Sequence, residues 1–285
     1  MRVPGHCFRR RRQTRIILEP MCGRSTLHDA PTNVLERFSL PPVLPGFEAR
    51  YNIAPTQQQW TILREKDGTP AVRQMRWGLV PSWAADTSIG HRMINARAES
   101  LSERAAFSGP LESQRCLILA DGYYEWRTEG KSKIPMYFRL ADGRAFGLAG
   151  LWDRWEKGDT PLETCTVITT SSGRRTRPYH HRMPVLLVDD AQTAWLDGTA
   201  TQRELLRMLR SYDAADLEMY DVSRQVNNTA NDSPECISRV EATPEGATER
   251  DATAKYTKNK KQTEKSEQFV LGELLAPSRE GPSTQ

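Results

Sequence analysis

The sequence predicts an α+β domain that is mainly β: a curved antiparallel sheet or barrel with peripheral helices. Three observations carry this expectation. Short extended runs recur along the middle of the chain. Gly, Pro and the steps Asp67-Gly68, Asp121-Gly122 and Asp142-Gly143 punctuate them. The strand signals do not alternate with helical ones, which disfavours a doubly wound parallel sheet.

In order, the expected strands are Trp60–Arg64, Ala71–Trp77, Cys116–Ala120, Met136–Arg139, Ala145–Leu151, Thr164–Thr170, Val185–Val188 and Leu217–Asp221. Helical periodicity marks Ala30–Phe38, Ala191–Leu196 and Thr201–Leu209, where Leu205, Met208 and Leu209 share a face. No internal repeat shows at any useful period.

A chain of 285 residues, 38% hydrophobic and 27% charged, supports a substantial core. No apolar run reaches the ~18 residues of a membrane-spanning helix. Ile16, Ile17 and Leu18 are too short a run for a secretory signal. The net charge of +4 is unevenly placed. Residues 1–20 hold six arginines and one glutamate, and 238–285 hold eight basic and eight acidic groups. The body, 21–237, therefore holds 26 basic and 27 acidic groups, and any anion binding there must come from a local patch. Five cysteines, at 7, 22, 116, 165 and 236, form no CxxC pair, which points to a reducing intracellular setting. Three segments are expected: an extension at 1–20, disordered or absent from the mature protein; a folded domain at 21–237; and a disordered charged tail at 238–285. Phe269, Val270, Leu271, Leu274 and Leu275 form a weak docking motif in the tail.

Four places combine residue types that carry chemistry. In Met21-Cys22-Gly23-Arg24, a chain beginning at Cys22 would present a 1,2-aminothiol, whose amine (pKa roughly 7.7–8.0) condenses with aldehydes. An ordinary buried cysteine is the alternative. Asn95, in Ile94-Asn95-Ala96-Arg97-Ala98-Glu99, offers a donor and an acceptor for a sugar or carbonyl, or serves a turn. Glu125, in Ala120-Asp121-Gly122-Tyr123-Tyr124-Glu125-Trp126, is a carboxylate among aromatics, suited to a general acid if buried and otherwise a surface residue. His180 and His181 are adjacent, so in a strand they would point to opposite faces and make a poor metal site, one acting as acid or base and the other solvated. Arg174, Arg175, Arg177 and Arg182 surround them and suit phosphates or a solvated loop. Trp77 and Trp83, interleaved with Arg76, fit either a stacking platform for unpaired bases or a core.

Taken together and in order, MCGR at 21–24, RYNIAPT at 50–56, MRWGLVPSW at 75–83, INARAES at 94–100, CLILADGYYEW at 116–126, HHRMP at 180–184 and VSRQVNN at 222–228 resemble the SRAP family of abasic-site processing proteins. The resemblance covers 21–237. It implies a barrel-like SRAP fold that binds single-stranded DNA and reacts covalently with abasic sites through an N-terminal cysteine, in the DNA damage response. By position it implies Cys22 as nucleophile, with Asn95, Glu125 and His180 completing the catalytic set. Arg24, Trp77, Trp83, Arg97, Trp126 and Arg182 fall where the family contacts DNA. A thiazolidine adduct and some abasic-site lyase activity follow, with no metal or organic cofactor and with a monomer acting alone.

The family pattern begins at Met-Cys, whereas here twenty residues precede Met21. Either translation starts at Met21, or proteolysis frees Cys22, or the protein is inactive; the first is the favoured expectation. Two other readings compete: a cysteine (auto)peptidase using Cys22 and His180 with Asn95 as oxyanion donor, and a non-catalytic single-strand binding module.

Overall fold

The computed structural model describes residues 22–240; the extension expected at 1–20 and the tail beyond 240 lie outside the described residues. Thirteen strands are present in the described region: β1 Ser25–Leu27, β2 Arg50–Ile53, β3 Gln58–Arg64, β4 Pro70–Trp77, β5 Asn95–Arg97, β6 Arg115–Ala120, β7 Gly122–Glu129, β8 Ser132–Leu140, β9 Phe146–Trp155, β10 Leu162–Ser171, β11 Arg182–Pro184, β12 Leu186–Leu187 and β13 Leu217–Asp221. Four short α-helices join them: α1 Thr32–Arg37, α2 Ala105–Ser113, α3 Asp190–Leu196 and α4 Gln202–Met208.

Five of these strands close on themselves. β10 pairs with β4, β4 with β3, β3 with β6, β6 with β9, and β9 with β10. All are antiparallel except β4–β10, which meets over Thr164↔Arg76 and Cys165↔Trp77. Period-2 alternation then sorts the side chains. Leu63, Met75, Trp77, Cys116, Ile118, Phe146, Leu148, Cys165 and Val167 fill the interior. Ile62, Leu117, Leu119, Ala149, Leu151 and Ile168 face outward, covered by Leu35, Phe107, Leu111, Trp195 and Leu205 from the helices. The second sheet, in the order β13-β8-β7-β1-β2, lays Cys22, Tyr123, Met136, Phe138 and Leu217 against the barrel interior, while its other face gathers Tyr124, Tyr137, Val222, Val226 and Cys236.

The chain passes from barrel to second sheet through one residue, Asp121, between β6 and β7. Its buried carboxylate accepts from Thr26 Oγ1 (2.5 Å) and from the backbone N–H groups of His28 (2.6 Å) and Asp29 (3.0 Å). The following residue must be small: a Cβ on Gly122 would lie 2.1 Å from Tyr137 Oη. The Asp-Gly step is thus a corner between sheets, and it sets the register that brings Glu125 inward.

One expectation changes, and one helix appears that the periodicity did not mark. The strand expected at Val185–Val188 shortens to β12, and β11 forms just ahead of it; the two are separated by Val185, whose N–H donates to Ile168 and whose carbonyl accepts from Ala149, both at 2.9 Å. Beyond Val167↔Gly150 the partners β9 and β10 diverge, and this segment wedges between them, β11 on β10 and β12 on β9. Helix α2 carries Gly109 and Pro110, both breakers by propensity; the burial of Ala106, Phe107 and Leu111 on the barrel overrides them.

Candidate active site

Cys22 lies just ahead of β1, buried at 1% exposure, with its side chain among the barrel-mouth residues. Its backbone adopts φ +32°, the left-handed region that a non-glycine residue seldom takes. Both of its backbone polar groups are held: the N–H donates to Glu125 Oε1 at 2.9 Å, and the carbonyl accepts from Asn95 Nδ2 at 3.2 Å.

Glu125 reaches Cys22 because of the parity of β7. Tyr123 and Glu125 share the inner face, whereas Tyr124 and Trp126 share the outer one. The Glu125 side chain is buried, and loss of solvation raises its carboxyl to about 8, moderated by the Cys22 N–H. Burial, reinforced by Glu125, pushes the Cys22 thiol well up. Asn95 starts β5, which pairs in parallel with β10 at Val167↔Asn95. His180 ends the turn after β10; its Nδ1 lies 2.9 Å from the Arg182 carbonyl oxygen and 3.7 Å from Glu125 Oε2.

The structure therefore brings Cys22, Asn95, Glu125 and His180 from four distant stretches into one cluster. The two histidines differ from the strand expectation: they precede β11, and their rings meet at a tilt of 40° with centroids 4.6 Å apart, so they do not diverge to opposite faces. His181 is exposed, as expected for the solvated member. A cavity of about 370 Å³ is lined by Asn95 together with Arg92, Met93, Arg104 and Phe107.

The residues expected to meet DNA fall into three groups. Arg24 and Trp126 form one unit on the outer face: the guanidinium lies 5.7 Å from the indole centroid and donates to the Val226 carbonyl (3.0 Å), and the indole N–H donates to Asn227 Oδ1 (2.8 Å). Arg97 and Trp83 are exposed, and Arg97 shares the side of β5 that carries Asn95. Trp77 and Arg182 turn inward. The Trp77 ring is fully buried, with its N–H on the Ile94 carbonyl (2.8 Å). The Arg182 guanidinium is held by Glu99 (2.6 Å) and the Thr169 carbonyl (2.6 Å). Neither offers a surface to a ligand in this structure; each shapes the site from behind.

Sequence reasoning passed over two positioning residues. Asp121 was read only as turn punctuation, although an Asp-Gly step directly between two extended runs marks the corner. Asn52 is fully buried and donates to three carbonyls, of Val226 (3.1 Å), Asn228 (3.1 Å) and Asn231 (2.8 Å), so it shapes the loop that supports Arg24 and Trp126.

Known proteins resemble this arrangement. The chain is 43% identical over 222 residues to the abasic site processing protein YoqW of Bacillus subtilis, a match covering 76% of this chain and 99% of that protein. It is 34% identical over 193 residues to the abasic site processing protein HMCES of Gallus gallus, covering 59% of this chain and 57% of that one. A crystal structure of a protein from Bacteroides thetaiotaomicron superposes with a TM-score of 0.69 at 26% identity, covering 77% of this chain and all of that chain. Residues 21–229 match the model of the SOS response associated peptidase (SRAP) family, and the chain belongs to that family.

Proposed function

We propose that this protein processes abasic sites in single-stranded DNA as part of the DNA damage response, capturing them in a covalent thiazolidine through the amine and thiol of Cys22, with an associated lyase activity. The observation that carries the reading is the aim of Glu125: a buried carboxyl bonded to the nitrogen of Cys22, with no hydrogen bond to its sulfur among the described residues. The names of the relatives point to the same substrate.

While residue 21 is attached, that nitrogen is an amide and inert toward aldehydes. The reactive form is one in which the Cys22 amine is free. The backbone conformation favours it: φ at +32° costs roughly 1–2 kcal/mol by clash involving the preceding peptide, a cost absent when no residue precedes.

A free amine 2.9 Å from Glu125 would share a proton with it, passing between ammonium–carboxylate and amine–acid forms. The amine–acid form is the productive one. The neutral amine adds to the aldehyde carbon of the ring-opened deoxyribose, and Glu125 protonates the departing hydroxyl as water, leaving an imine. The thiol then adds to the imine carbon; a C–S bond forms, and the thiol proton goes to the ring nitrogen. Asn95 holds the Cys22 carbonyl, which orients the nucleophile. His180, beside the second oxygen of Glu125, serves proton transfer to the sugar hydroxyl. Loss of a proton from the carbon next to the imine expels the 3′ phosphate, which is the lyase branch.

The peptidase alternative requires an activated thiolate. Burial raises the Cys22 thiol instead, and the His180 ring lies against Glu125 and the Arg182 carbonyl. A non-catalytic binding module has no use for a buried acid on a chain nitrogen. The test is intact-mass analysis of protein beginning at Cys22, before and after incubation with single-stranded DNA holding one abasic site. A heat-stable adduct that disappears in Cys22→Ala is expected; the absence of any adduct would sink the reading.

A further inference from the structure

The turn that delivers His180 also carries a concentration of positive charge outside the catalytic cluster. Arg174, Arg175 and Arg177 fall within four consecutive positions of the turn between β10 and β11, and all three are exposed. The turn is rigidly built. Asp213, from the segment after α4, accepts from the backbone N–H groups of Arg174 (3.0 Å) and Arg175 (2.9 Å). It packs so close that a Cβ on Gly173 would lie 2.7 Å from its carboxyl carbon. Inside the turn, Arg177 N–H donates to Gly173 (2.9 Å) and His180 N–H to Thr176 (3.2 Å).

The charge on this turn is not internally balanced. Asp213 directs its two oxygens at backbone N–H groups, and the Arg175 guanidinium bonds the Ala214 carbonyl. Arg174 and Arg177 make no ion pair among the described residues, and the Asp213 carboxylate, which attracts Arg174 and Arg175, sets one negative charge against three guanidinium groups. Unpaired like charges confined to one fixed turn repel one another, and an anion relieves that repulsion. Since the body as a whole is close to neutral, the patch is a local feature and not part of a general basic field.

We infer that the 173–179 turn is a phosphodiester-binding element, in which Arg174 and Arg177 hold the backbone of the single strand beside the lesion while the same turn sets His180 against Glu125. This rests on the reading of the site as one for single-stranded DNA. The ligand is a phosphodiester, because guanidinium groups match phosphate oxygens, while Tyr179, the aromatic of the segment, packs partly buried against the barrel interior.

The test uses the full chain and a fluorescent single strand with no abasic site, so that binding is read separately from crosslinking. Affinity is measured by anisotropy across a range of salt for the parent, for Arg174→Ala/Arg177→Ala, and for Arg203→Ala/Arg207→Ala on helix α4. Each phosphate contact on a single strand contributes about 0.7 to the slope of log affinity against log salt, so the first variant should lose about 1.4. Its deficit relative to the parent then shrinks roughly sevenfold between ~50 and ~200 mM salt. The α4 variant, with the same change in charge, should keep the parental slope. A parental slope in Arg174→Ala/Arg177→Ala, or an equal fall in both variants, overturns the assignment of this turn while leaving the abasic-site reading intact. A parent that binds no single strand overturns both.

Discussion

The backbone nitrogen of Cys22 donates to Glu125 Oε1 across 2.9 Å, joining residues 103 positions apart in the chain. Because Glu125 is buried, the bond places a proton-carrying group beside the one atom that becomes a primary amine when Cys22 begins the chain. The arrangement divides the chemistry of Cys22 between its two ends, nitrogen first and sulfur second.

That division predicts a shared outcome for two substitutions that remove the sulfur and keep the amine. In protein beginning at residue 22, Cys22→Ser keeps the amine and loses the sulfur. Imine formation and strand cleavage should persist, while the adduct becomes trappable by borohydride and no longer survives heat. Cys22→Ala should behave likewise in the trapping assay. Loss of trappable imine in both variants, with folding intact, would place the first step on sulfur.

Replacing Glu125 with Gln retains an acceptor for the Cys22 nitrogen but removes the transferable proton. Crosslinking under single-turnover conditions should slow by about 10²–10⁴-fold, with affinity for lesion-free single strand unchanged. The same variant reports on stability in the 285-residue chain. Folded Glu125 titrates near 8 against an ordinary 4.5, so between those values the folded state holds a proton that the unfolded state has released. Native stability contributed by this group is therefore lost as pH rises through that window. Glu125→Gln should match the parent near pH 4 and melt progressively higher than it toward pH 8; a constant difference in Tm across pH would contradict the raised carboxyl.

Asn95→Ala removes the donor to the Cys22 carbonyl. We expect a stability loss of about 1 kcal/mol. Crosslinking should slow by more than the fall in stability explains, because the nucleophile loses its orientation. Rapid-quench crosslinking beside a denaturant melt separates the two effects.

Gly122→Ala tests the corner. The added methyl would meet the Tyr137 hydroxyl, itself 2.8 Å from Thr26 Oγ1, so either the phenol or β7 must move. A destabilisation of about 1–3 kcal/mol in urea is expected, together with slower crosslinking, since Glu125 lies three residues further along the same strand. By contrast Gly109→Ala, with open space around its Cβ position, should be neutral or mildly stabilising.

Much of the sheet was legible because strand composition and burial agree. Leu217–Asp221 is a strand over the expected residues, and β3, β4, β6 and β10 extend their expected runs by one or two residues at an end. The expected runs leave out β1, β2, β5 and the eight-residue β7, which starts directly at the Asp121-Gly122 step that reads as a turn. β5 is three residues long and β1 equally so, and both exist by pairing, β5 with β10 and β1 with β2 and β7. At the site, residue type suggested chemistry at Cys22, Asn95, Glu125 and His180 one at a time, but only the resemblance joined them, since no local spacing encodes contacts made across the barrel mouth. Trp77 illustrates the limit. Its neighbours Arg76 and Gly78 suit a stacking platform or a core equally, and the choice is made by the Ile94 carbonyl that receives its N–H. Arg182 is similar, since Glu99 lies 83 residues away.

The closed barrel also imposes an order in time. Cys22 leaves the ribosome early, and its acid follows 103 residues later, about 5–20 s at ordinary rates of translation. Val226, which steadies Arg24, comes later still. For that interval Cys22 is without the carboxyl that later bonds its nitrogen. Once the barrel closes, both backbone groups of the same residue are held, its nitrogen by Glu125 and its carbonyl by Asn95.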